Sequence, residues 1–232
     1  MKRLLLSLIL LAGTTFAQEQ QEAEPVDSAK IWLSIGRDYL NKNMFEDAIR
    51  NFKRSLRCNP NFIPAHLELA KAYIGIGTSY LSRGISDTGY MYVDSAEAVY
   101  WKIKEIDSTD SRGFQGLGFI YSVIKKDYNK AIEYYKAALS IDPENVDALY
   151  GLAKVYQNLG EKATADSVYK TAISKNPKSV GINYSYGMFL VELARYEEAI
   201  PYLERALELG IEDKDKEKEV LVAIVKSGIE GG

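Results

Sequence analysis

Few residues in this chain have the types and spacing that catalysis requires. The 232 residues include one histidine, His66, and one cysteine, Cys58. Enzymes need nucleophiles, bases or metal ligands that converge on one site, and the sequence has no H-E-x-x-H, C-x-x-C, phosphate-loop or G-x-S-x-G motif. We therefore predict a protein that is not an enzyme, with no catalytic residue, cofactor or metal ligand to assign. A metal site built from the 32 acidic residues scattered over the sequence remains an alternative.

The aromatic residues are the second source of candidate chemistry. The chain has 17 tyrosines, which could stack on a ligand. Most of them stand at positions typical of helix packing, so we predict that they lie mainly in the core. The clearest cases are Tyr39, Tyr73, Tyr121, Tyr156 and Tyr169. Cys58 allows no internal disulfide, and both a packing role and a reactive or intermolecular role remain open for its thiol.

The residues from Val146 to Ser179 form a complete helix–turn–helix unit. Apolar side chains recur at i, i+3, i+4 and i+7, as they do on one face of an α-helix. Gly160 ends the first helix, and Pro177, which cannot donate the next helical hydrogen bond, ends the second. The stripes consist of Leu149, Leu152, Ala153 and Tyr156 in the first half and Ala165, Val168, Tyr169, Ala172 and Ile173 in the second.

Copies of this unit recur along the chain. The alanine expected where the two helices approach closely, Ala165, has counterparts at Ala48, Ala96, Ala131 and Ala199. The successive intervals are 48, 35, 34 and 34 residues. A period of this length is typical of a repeat array, in which each hairpin buries its apolar face against its neighbours. We predict one all-α domain in which five hairpins share a continuous core.

The first copy carries a recognisable family motif. Its residues fit the pattern W-x2-L-G-x2-Y, A-x3-F, P, with isoleucine where leucine is usual. These residues are Trp32, Ile35, Gly36, Tyr39, Ala48, Phe52 and Pro60. The chain therefore resembles the tetratricopeptide-repeat (TPR) proteins, of an exported bacterial type. This resemblance implies a right-handed superhelical solenoid of five helix–turn–helix repeats with a C-terminal capping helix. Because His66 stands where the first repeat has its tryptophan, we expect it to pack between helices.

The motif sets the repeat boundaries, and two repeats depart from the common length. The five repeats occupy residues 29–62, 63–110, 111–145, 146–179 and 180–213. Repeat 2 has 14 additional residues within Ile74 to Ser95, which is about four helical turns. We therefore predict that each of its two helices is two turns longer, around Gly84 to Asp87. Repeat 3 has one additional residue near Lys125 to Asp127.

The last segment, 214–232, is predicted to be a capping helix and a short tail. A run of charged residues, 212–219, precedes Val220, Leu221 and Ile224 at helical spacing. If a sixth repeat followed in the same register, these three residues would lie on the inner face of its first helix. A charged recognition tail is the alternative interpretation.

The first 28 residues are predicted to lie outside the repeats. Residues 1–17 combine two basic residues, an apolar run and a small-residue cleavage site, which is typical of a secretory signal peptide. A retained anchor and a buried helix are the alternatives, but the run is shorter than the about 20 residues that span a bilayer. Residues 18–28 are predicted to be an acidic disordered linker. We expect an exported protein, periplasmic or secreted, with no transmembrane segment after cleavage.

The family resemblance also assigns the candidate partner-binding residues. In solenoids of this family the first helix of each repeat lines a concave groove, and positions 2, 5, 9, 12 and 13 of each repeat face the ligand. The central rows are positions 5 and 9. These positions hold Leu33, Arg37, Leu67, Lys71, Gln115, Phe119, Tyr150, Lys154, Tyr184 and Met188. Bases beside aromatic and aliphatic side chains would suit an extended acidic and apolar peptide. Residues of the family's chaperone-tail clamp are absent, since those positions hold Leu33, Arg37 and Glu68.

Two functions from different classes follow. The first is a non-enzymatic scaffold or adaptor that binds a polypeptide in the groove, in assembly of a bacterial envelope complex. The second is an accessory subunit of an envelope enzyme, or a hydrolase whose site the sequence hides. Nucleic acid is an unsuitable partner because the net charge is -3. The insertion in repeat 2 contains apolar residues that either pack across a longer hairpin or form a second contact surface, for a partner or for self-association.

Overall fold

The computed structural model describes residues 26–213, 215–217 and 219–223, and all regular secondary structure in this part of the chain is helical. The predicted all-α fold class is confirmed. The signal peptide assigned to residues 1–17, and the linker residues 18–25, lie outside the described residues.

Consecutive helices are joined by short turns, so each pair forms a hairpin. The helices are α1 (Val26–Asn41), α2 (Phe45–Cys58), α3 (Ile63–Ser82), α4 (Ser86–Ile106), α5 (Arg112–Phe119), α6 (Tyr128–Ile141), α7 (Val146–Asn158), α8 (Lys162–Lys175), α9 (Val180–Glu192) and α10 (Tyr196–Glu208). A π-helix, Ile120–Ile124, continues α5. Helical backbone also occurs at 215–217 and 219–223. We call the odd-numbered helices A helices and the even-numbered ones B helices.

The first helix starts earlier than the sequence indicates. It begins at Val26, inside the segment predicted as a linker up to Ser28. Ala29 is 1% exposed, and its carbonyl oxygen accepts a hydrogen bond of 2.6 Å from the hydroxyl of Ser55. The helix that buries Ala29 therefore starts about one turn before it.

The chain divides into two compact units, residues 1–96 and 97–232, with the boundary inside α4. In the first unit, Phe52 of α2 is fully buried against Gly36 of α1. A Cβ atom at Gly36 would lie 2.4 Å from the phenyl ring, so only glycine permits this approach of the two helices. In the second unit, the largest fully buried side chains include Tyr135, Tyr169 and Tyr186, which are packing tyrosines of the kind the sequence predicts.

Each A helix of repeats 1, 4 and 5 ends in the same closing turn. A residue with left-handed backbone follows the helix: Asn43 (φ 56°), Gly160 (φ 74°) or Ala194 (φ 56°). The next residue donates its amide to a carbonyl five positions earlier, as in the bond from Glu161 to Tyr156. This is the Schellman arrangement, which satisfies the last carbonyls of a helix.

The A helix of repeat 3 ends in a similar turn that contains one more residue. Lys126 takes the left-handed conformation, with φ 56°, but the amide of Asp127 bonds the carbonyl of Tyr121, six positions earlier. The additional residue lies in the π-helix, whose hydrogen bonds span one residue more than α-helical ones. The sequence places the surplus a few residues later, near Lys125 to Asp127, because the motif alone does not show where a helix widens.

The 14 additional residues of repeat 2 lengthen its two helices. Helices α3 and α4 contain 20 and 21 residues, whereas the A and B helices of repeats 4 and 5 have 13 or 14. The lengths agree with the expected two further turns in each helix. Tyr80 and Tyr92 stack across the hairpin with ring centroids 5.8 Å apart. Gly84, at φ 77°, forms the tip.

The helical segment after residue 214 has one inward face. Val220 is fully buried and Ala223 is 5% exposed, whereas Leu221 is 50% exposed. The prediction that Leu221 faces inward is therefore wrong. Residues one position apart point about 100° away from each other on a helix, so Leu221 cannot share the stripe of Val220 and Ala223. Ile224 lies outside the described residues.

Candidate functional site

A pocket opens between two neighbouring A helices of the second unit, α5 with its π-helical extension and α7. Its volume is about 470 Å³, which is within the range of small-ligand and side-chain sites. Four of the ten predicted partner-binding residues line it: Gln115, Phe119, Tyr150 and Lys154. The pocket is thus a place where the structure brings predicted positions of successive repeats together.

The other lining residues are not among the ten predicted ones, although Ser122, Val123, Asp147 and Asn158 stand at position 2, 12 or 13 of their repeats. They come from three sources: the π-helix and its closing turn, the rest of α7, and the B helix behind them. They are Ser122, Val123, Lys126, Tyr135, Asp147, Gly151, Val155 and Asn158. The only sequence signal that the π-helical part of the wall is unusual is that repeat 3 is one residue longer than repeats 1, 4 and 5.

The B-helix residue Tyr135 contributes to the pocket through two glycines. Its ring is 2% exposed, and Cβ atoms at Gly118 and Gly151 would lie 2.6 and 2.3 Å from it. The Tyr135 hydroxyl lies 3.2 Å from the hydroxyl of Ser122 in the π-helix. Burial raises the pKa of Tyr135 to about 12, so its hydroxyl is neutral at physiological pH. The glycines therefore let an aromatic ring approach the pocket where other residues would cover it.

Apolar walls and charged ends characterise the pocket. Phe119 is 37% exposed and Val123 is 47% exposed, both on the wall formed by α5 and the π-helix. Lys126 and Lys154 both line the pocket, as does Asp147, which lies seven residues before Lys154 on α7. Among the described residues, neither of these two lysines is in an ion pair. The pocket can thus accept an apolar group together with a negative charge.

A half-buried carboxylate, that of Glu97, contacts the π-helix and the residue after it. Glu97 accepts a hydrogen bond of 2.9 Å from the Tyr121 hydroxyl and forms a 2.6 Å ion pair with Lys125. The Glu97 and Lys125 side chains are 19% and 24% exposed. Burial, followed by the hydrogen bond to Glu97, raises the pKa of Tyr121 to about 12. Glu97 thereby fixes both the widened turn and the residue that follows it.

The remaining predicted residues of the second unit lie on α9. The hydroxyl of Tyr150 on α7 is 2.8 Å from that of Ser185, which joins the two A helices. Tyr184 is half-buried, and its hydroxyl donates a 2.5 Å hydrogen bond to Glu219, with the Lys216 ammonium 5.6 Å from the ring centroid. Burial and this hydrogen bond raise the pKa of Tyr184. Tyr184 is therefore engaged by the last helical segment, whereas Met188 is half-buried.

The predicted partner-binding residues of the first unit differ in their exposure and in their ion pairs. Leu33 is 6% exposed, so it belongs to the core of that unit and presents little surface. Arg37 and Lys71 lie 3.0 and 3.5 Å from the carboxylate of Glu68, and Leu67 is half-buried. At the clamp positions, Arg37 is thus paired with Glu68.

A second depression, of about 850 Å³, is formed by the loops that precede α5, α7 and α9. Its polar groups bond one another. The Arg112 guanidinium contacts Asp110 at 2.6 Å and, chiefly through this hydrogen bond, holds the pKa of that carboxyl below its ordinary value. The amide of Asn145 donates to the Ser111 hydroxyl at 2.8 Å. These loops hold the starts of the A helices.

The two residues with the most reactive side chains have packing surroundings. His66 is 7% exposed, and its Nε2 lies 2.8 Å from the carbonyl oxygen of Pro60. Cys58 is half-buried, and its thiol donates to the carbonyl oxygen of Arg54 at 3.3 Å. In the part of the chain that the structure describes, no three His, Cys, Asp or Glu side chains are grouped so that they could hold a metal ion. None of the described helices is both long and apolar enough to cross a membrane.

The long hairpin of repeat 2 combines internal packing with exposed apolar side chains. Tyr92 lies between Tyr73 and Tyr80, with centroid distances of 6.1 and 5.8 Å. Beyond this stack, Ile85, Tyr90 and Met91 are 39%, 44% and 54% exposed. The long hairpin therefore has one set of half-buried tyrosines that pack on one another and a second set of apolar side chains that are exposed.

Comparison with known proteins gives matches to repeat families and to helical-repeat structures. Family models described as "TPR repeat" and "Tetratricopeptide repeat" match residues 123–160 and 150–214. The Hsp70-Hsp90 organizing protein 3 of Arabidopsis thaliana is 26% identical over 148 residues, which are 64% of this chain and 24% of that protein. The type IV pilus assembly protein PilF of Pseudomonas aeruginosa is 41% identical over 64 residues, 28% of this chain and 25% of PilF.

Similarity in structure extends over more of the chain. A thermophilic TPR protein of Thermus thermophilus has a TM-score of 0.66 at 19% identity, covering 85% of this chain and 99% of that one. At this identity the likeness concerns the fold. The chain spans about a quarter or less of the length of the first curated relatives that it matches. These comparisons identify tetratricopeptide repeats within residues 123–214, in a chain whose fold is similar to that of a TPR protein over most of its length.

Proposed function

We propose that the protein is a non-enzymatic interaction scaffold whose second unit binds an extended polypeptide along the exposed faces of α5, α7 and α9. The observation that carries this proposal is the open pocket between α5 and α7, which has exposed apolar walls and two lysines without ion pairs among the described residues. Apolar side chains left exposed in a concave site are typical of a contact surface.

The ligand that fits this surface is a polypeptide with acidic and apolar side chains. Repeat arrays present extended concave surfaces, and peptides bind grooves through side-chain pockets spaced along them. The binding residues in this proposal are Gln115, Phe119, Tyr150, Lys154, Tyr184 and Met188. In the first unit, Arg37 and Lys71 would exchange their ion pairs with Glu68 for contacts with the ligand. The half-buried Leu67 would add apolar surface, and Leu33 supports the core.

Photo-crosslinking tests the site directly. Benzoylphenylalanine in place of Phe119 should crosslink a protein of the envelope fraction, and Lys154→Glu should reduce the yield at least fivefold because it reverses the charge that attracts the ligand. Lys136→Glu is the matched control, since Lys136 is exposed on α6 and does not line the pocket. Both charge changes should leave the melting temperature nearly unchanged. Equal crosslinking in the two variants would place binding on another surface.

The setting that we propose is assembly of a bacterial envelope complex after export. Residues 1–17 have the pattern of a signal peptide, and the 64-residue match at 41% identity is to a protein named for type IV pilus assembly. Export predicts a mature chain beginning at Gln18 in the periplasmic or secreted fraction. N-terminal sequencing of the purified protein measures this, and an intact Met1 in the cytoplasmic fraction would contradict it.

We also propose self-association through the long hairpin of repeat 2, supported by the exposed Ile85, Tyr90 and Met91. Deleting residues 77–89, with Tyr90→Ser and Met91→Ser in the same variant, removes all three exposed side chains and approximately restores the common repeat length. The shortened protein should sediment as a smaller species than its parent at the same concentration. Unchanged sedimentation would leave the hairpin with a structural role only.

A further inference from the structure

We infer that the pocket between α5 and α7 is an anchor site for one bulky apolar side chain of the ligand, with a carboxylate of the ligand held beside it by Lys126 and Lys154. This inference rests on the proposed function and adds what the ligand must carry at this point. It also assigns a role to the π-helix, which forms part of the wall. We call this site the anchor pocket.

The π-helix is the reason why such a pocket exists in this repeat. Ser122 and Val123 lie within it, and Lys126 closes the turn after it; all three line the anchor pocket. In repeats 1, 4 and 5 the corresponding segment is α-helical and closes one residue sooner. Single-turn π-helices arise from one additional residue in an α-helix and are frequent at functional sites. In repeat 3 the additional residue changes the wall of the groove, while the motif tyrosine, Tyr121, remains buried.

The dimensions and walls define the apolar part of the ligand. A volume of about 470 Å³ holds one aromatic or long aliphatic side chain with its adjoining backbone. Phe119 and Val123, four residues apart, supply exposed apolar surface, and Tyr150 and Val155 supply the facing surface on α7. Gly151 adds no side chain to this surface, because the Tyr135 ring occupies the place where its Cβ would lie. An alanine side chain on the ligand would leave most of this surface uncovered.

The charges define the orientation. Asp147 and Lys154 are seven residues apart on α7, which is about 10 Å along a helix. Lys126 follows the π-helix that continues α5. Because α5 and α7 each form a hairpin with α6, they run in the same direction, and the C-terminal part of α7 carries Lys154. One end of the anchor pocket is therefore acidic and the other carries two lysines. A carboxylate next to the anchor side chain complements the lysines, and backbone amides of the ligand complement Asp147.

Blocked tetrapeptides test these requirements on the full-length protein. The probes are acetyl-Gly-Phe-Asp-Gly-amide, its Phe→Ala analogue and its Asp→Lys analogue, titrated while the backbone amide of Gly151 is followed by NMR. We expect the first peptide to shift this amide at a concentration at least tenfold lower than either analogue. Equal shifts by all three peptides, or no shift of Gly151 by the first, would overturn the inference.

Variants of the protein provide the complementary test. Val123→Trp should fill the anchor pocket and reduce binding of the Phe-Asp peptide at least tenfold, whereas Leu159→Trp is its control, at a residue that is 42% exposed and outside the lining. Lys126→Gln together with Lys154→Gln should remove the preference for aspartate over lysine, and Lys136→Gln should retain it. Circular dichroism checks that each variant is folded. Unchanged binding in Val123→Trp would contradict the inference.

Failure of the anchor pocket and failure of the scaffold function give different results. If Val123→Trp no longer binds the peptide but still crosslinks its envelope protein at position 119, the groove binds that protein without the anchor, and the inference is wrong. If the peptide binds in the pocket and no protein crosslinks, the anchor chemistry holds and the proposed scaffold function fails.

Discussion

Repeats 2 and 3 both exceed the common length, and the structure absorbs the two excesses in opposite ways. The 14 additional residues of repeat 2 extend two regular helices, α3 and α4, which remain packed through the Tyr80 and Tyr92 stack. The single additional residue of repeat 3 instead produces a π-helix. A large insertion thus leaves helix geometry intact, whereas the smallest possible one alters it.

The helical period explains this difference. Seven residues make nearly two turns at about 3.6 residues per turn, so seven more residues in each helix return the side chains to almost the same faces. One more residue rotates everything after it by about 100°. The π-helix confines that rotation to the five residues 120–124, because its wider turn takes up the surplus before the closing turn begins.

The first prediction compares an aromatic residue from each region, and it has the largest expected effect. Tyr135→Ala should lower the free energy of unfolding by about 3–5 kcal/mol, because its ring is almost fully buried between Gly118 and Gly151. Tyr90→Ala, in the long hairpin and 44% exposed, should change it by less than about 0.5 kcal/mol. Urea denaturation measures both. Comparable losses would mean that the long hairpin is as tightly packed as the core.

Most of the fold follows from the sequence because packing repeats with the period. The small residues at Ala48, Ala131, Ala165 and Ala199 are all fully buried, as a close contact between helices requires. The two-turn extension of α3 and α4 could be deduced because 14 residues match whole turns. By contrast, the burial of Leu33 and the exposure of Leu221 depend on neighbouring segments, which no single repeat specifies.

The candidate site could be predicted only in part, for a geometric reason. Position rules locate Phe119 and Lys154 on the A helices, and both line the pocket. Positions 12 and 13 of repeat 3 are Ser122 and Val123, but the rules do not show that a π-helix carries these two residues, and they do not locate Lys126, which follows it. The period shows that repeat 3 has one residue too many, but the conformation that absorbs it depends on the contacts of Tyr121 and Lys125 with Glu97.

The second prediction breaks the register of the long hairpin. Deleting Thr78, an exposed residue of α3, should cost roughly 2–4 kcal/mol, because the following residues rotate by about 100° and Tyr80 and Leu81 lose their partners on α4. Urea denaturation of the variant measures the cost. Removal of the whole segment 77–89 should cost less than this single deletion. The opposite order would mean that α3 tolerates a one-residue shift as repeat 3 does.

The third prediction concerns what holds the π-helix. Tyr121→Phe removes the hydrogen bond to Glu97 and should cost about 1 kcal/mol at pH 7. Because folding raises the pKa of Tyr121 from 10.0 to about 12, its contribution is complete below pH 10 and is lost as the pH rises toward 12. The stability difference between parent and variant should therefore shrink over this range. Chemical denaturation at a series of pH values measures it, and parallel curves would contradict the assignment.

The last prediction removes the surplus itself and has the smallest expected effect on stability. Deleting Val123 gives repeat 3 the length of repeats 1, 4 and 5, so the π-helical segment should become ordinary α-helix with the closing turn intact. The Val123 side chain is 47% exposed, so its removal loses little packing, and the new α-helical hydrogen bonds offset that loss. The free energy of unfolding should therefore change by less than about 1 kcal/mol.

Deleting Asn158 is the matched control, since it occupies the same repeat position in α7, where no surplus exists to absorb the change. That deletion pulls Leu159 and Gly160 out of the closing turn and should cost roughly 2–4 kcal/mol. Urea denaturation compares the two proteins, and titration with the Phe-Asp peptide shows whether the shortened repeat 3 still binds. We expect a stable protein that has lost the anchor pocket. If deleting Val123 is as costly as deleting Asn158, the π-helix is required for folding, and its role is not specific to the ligand.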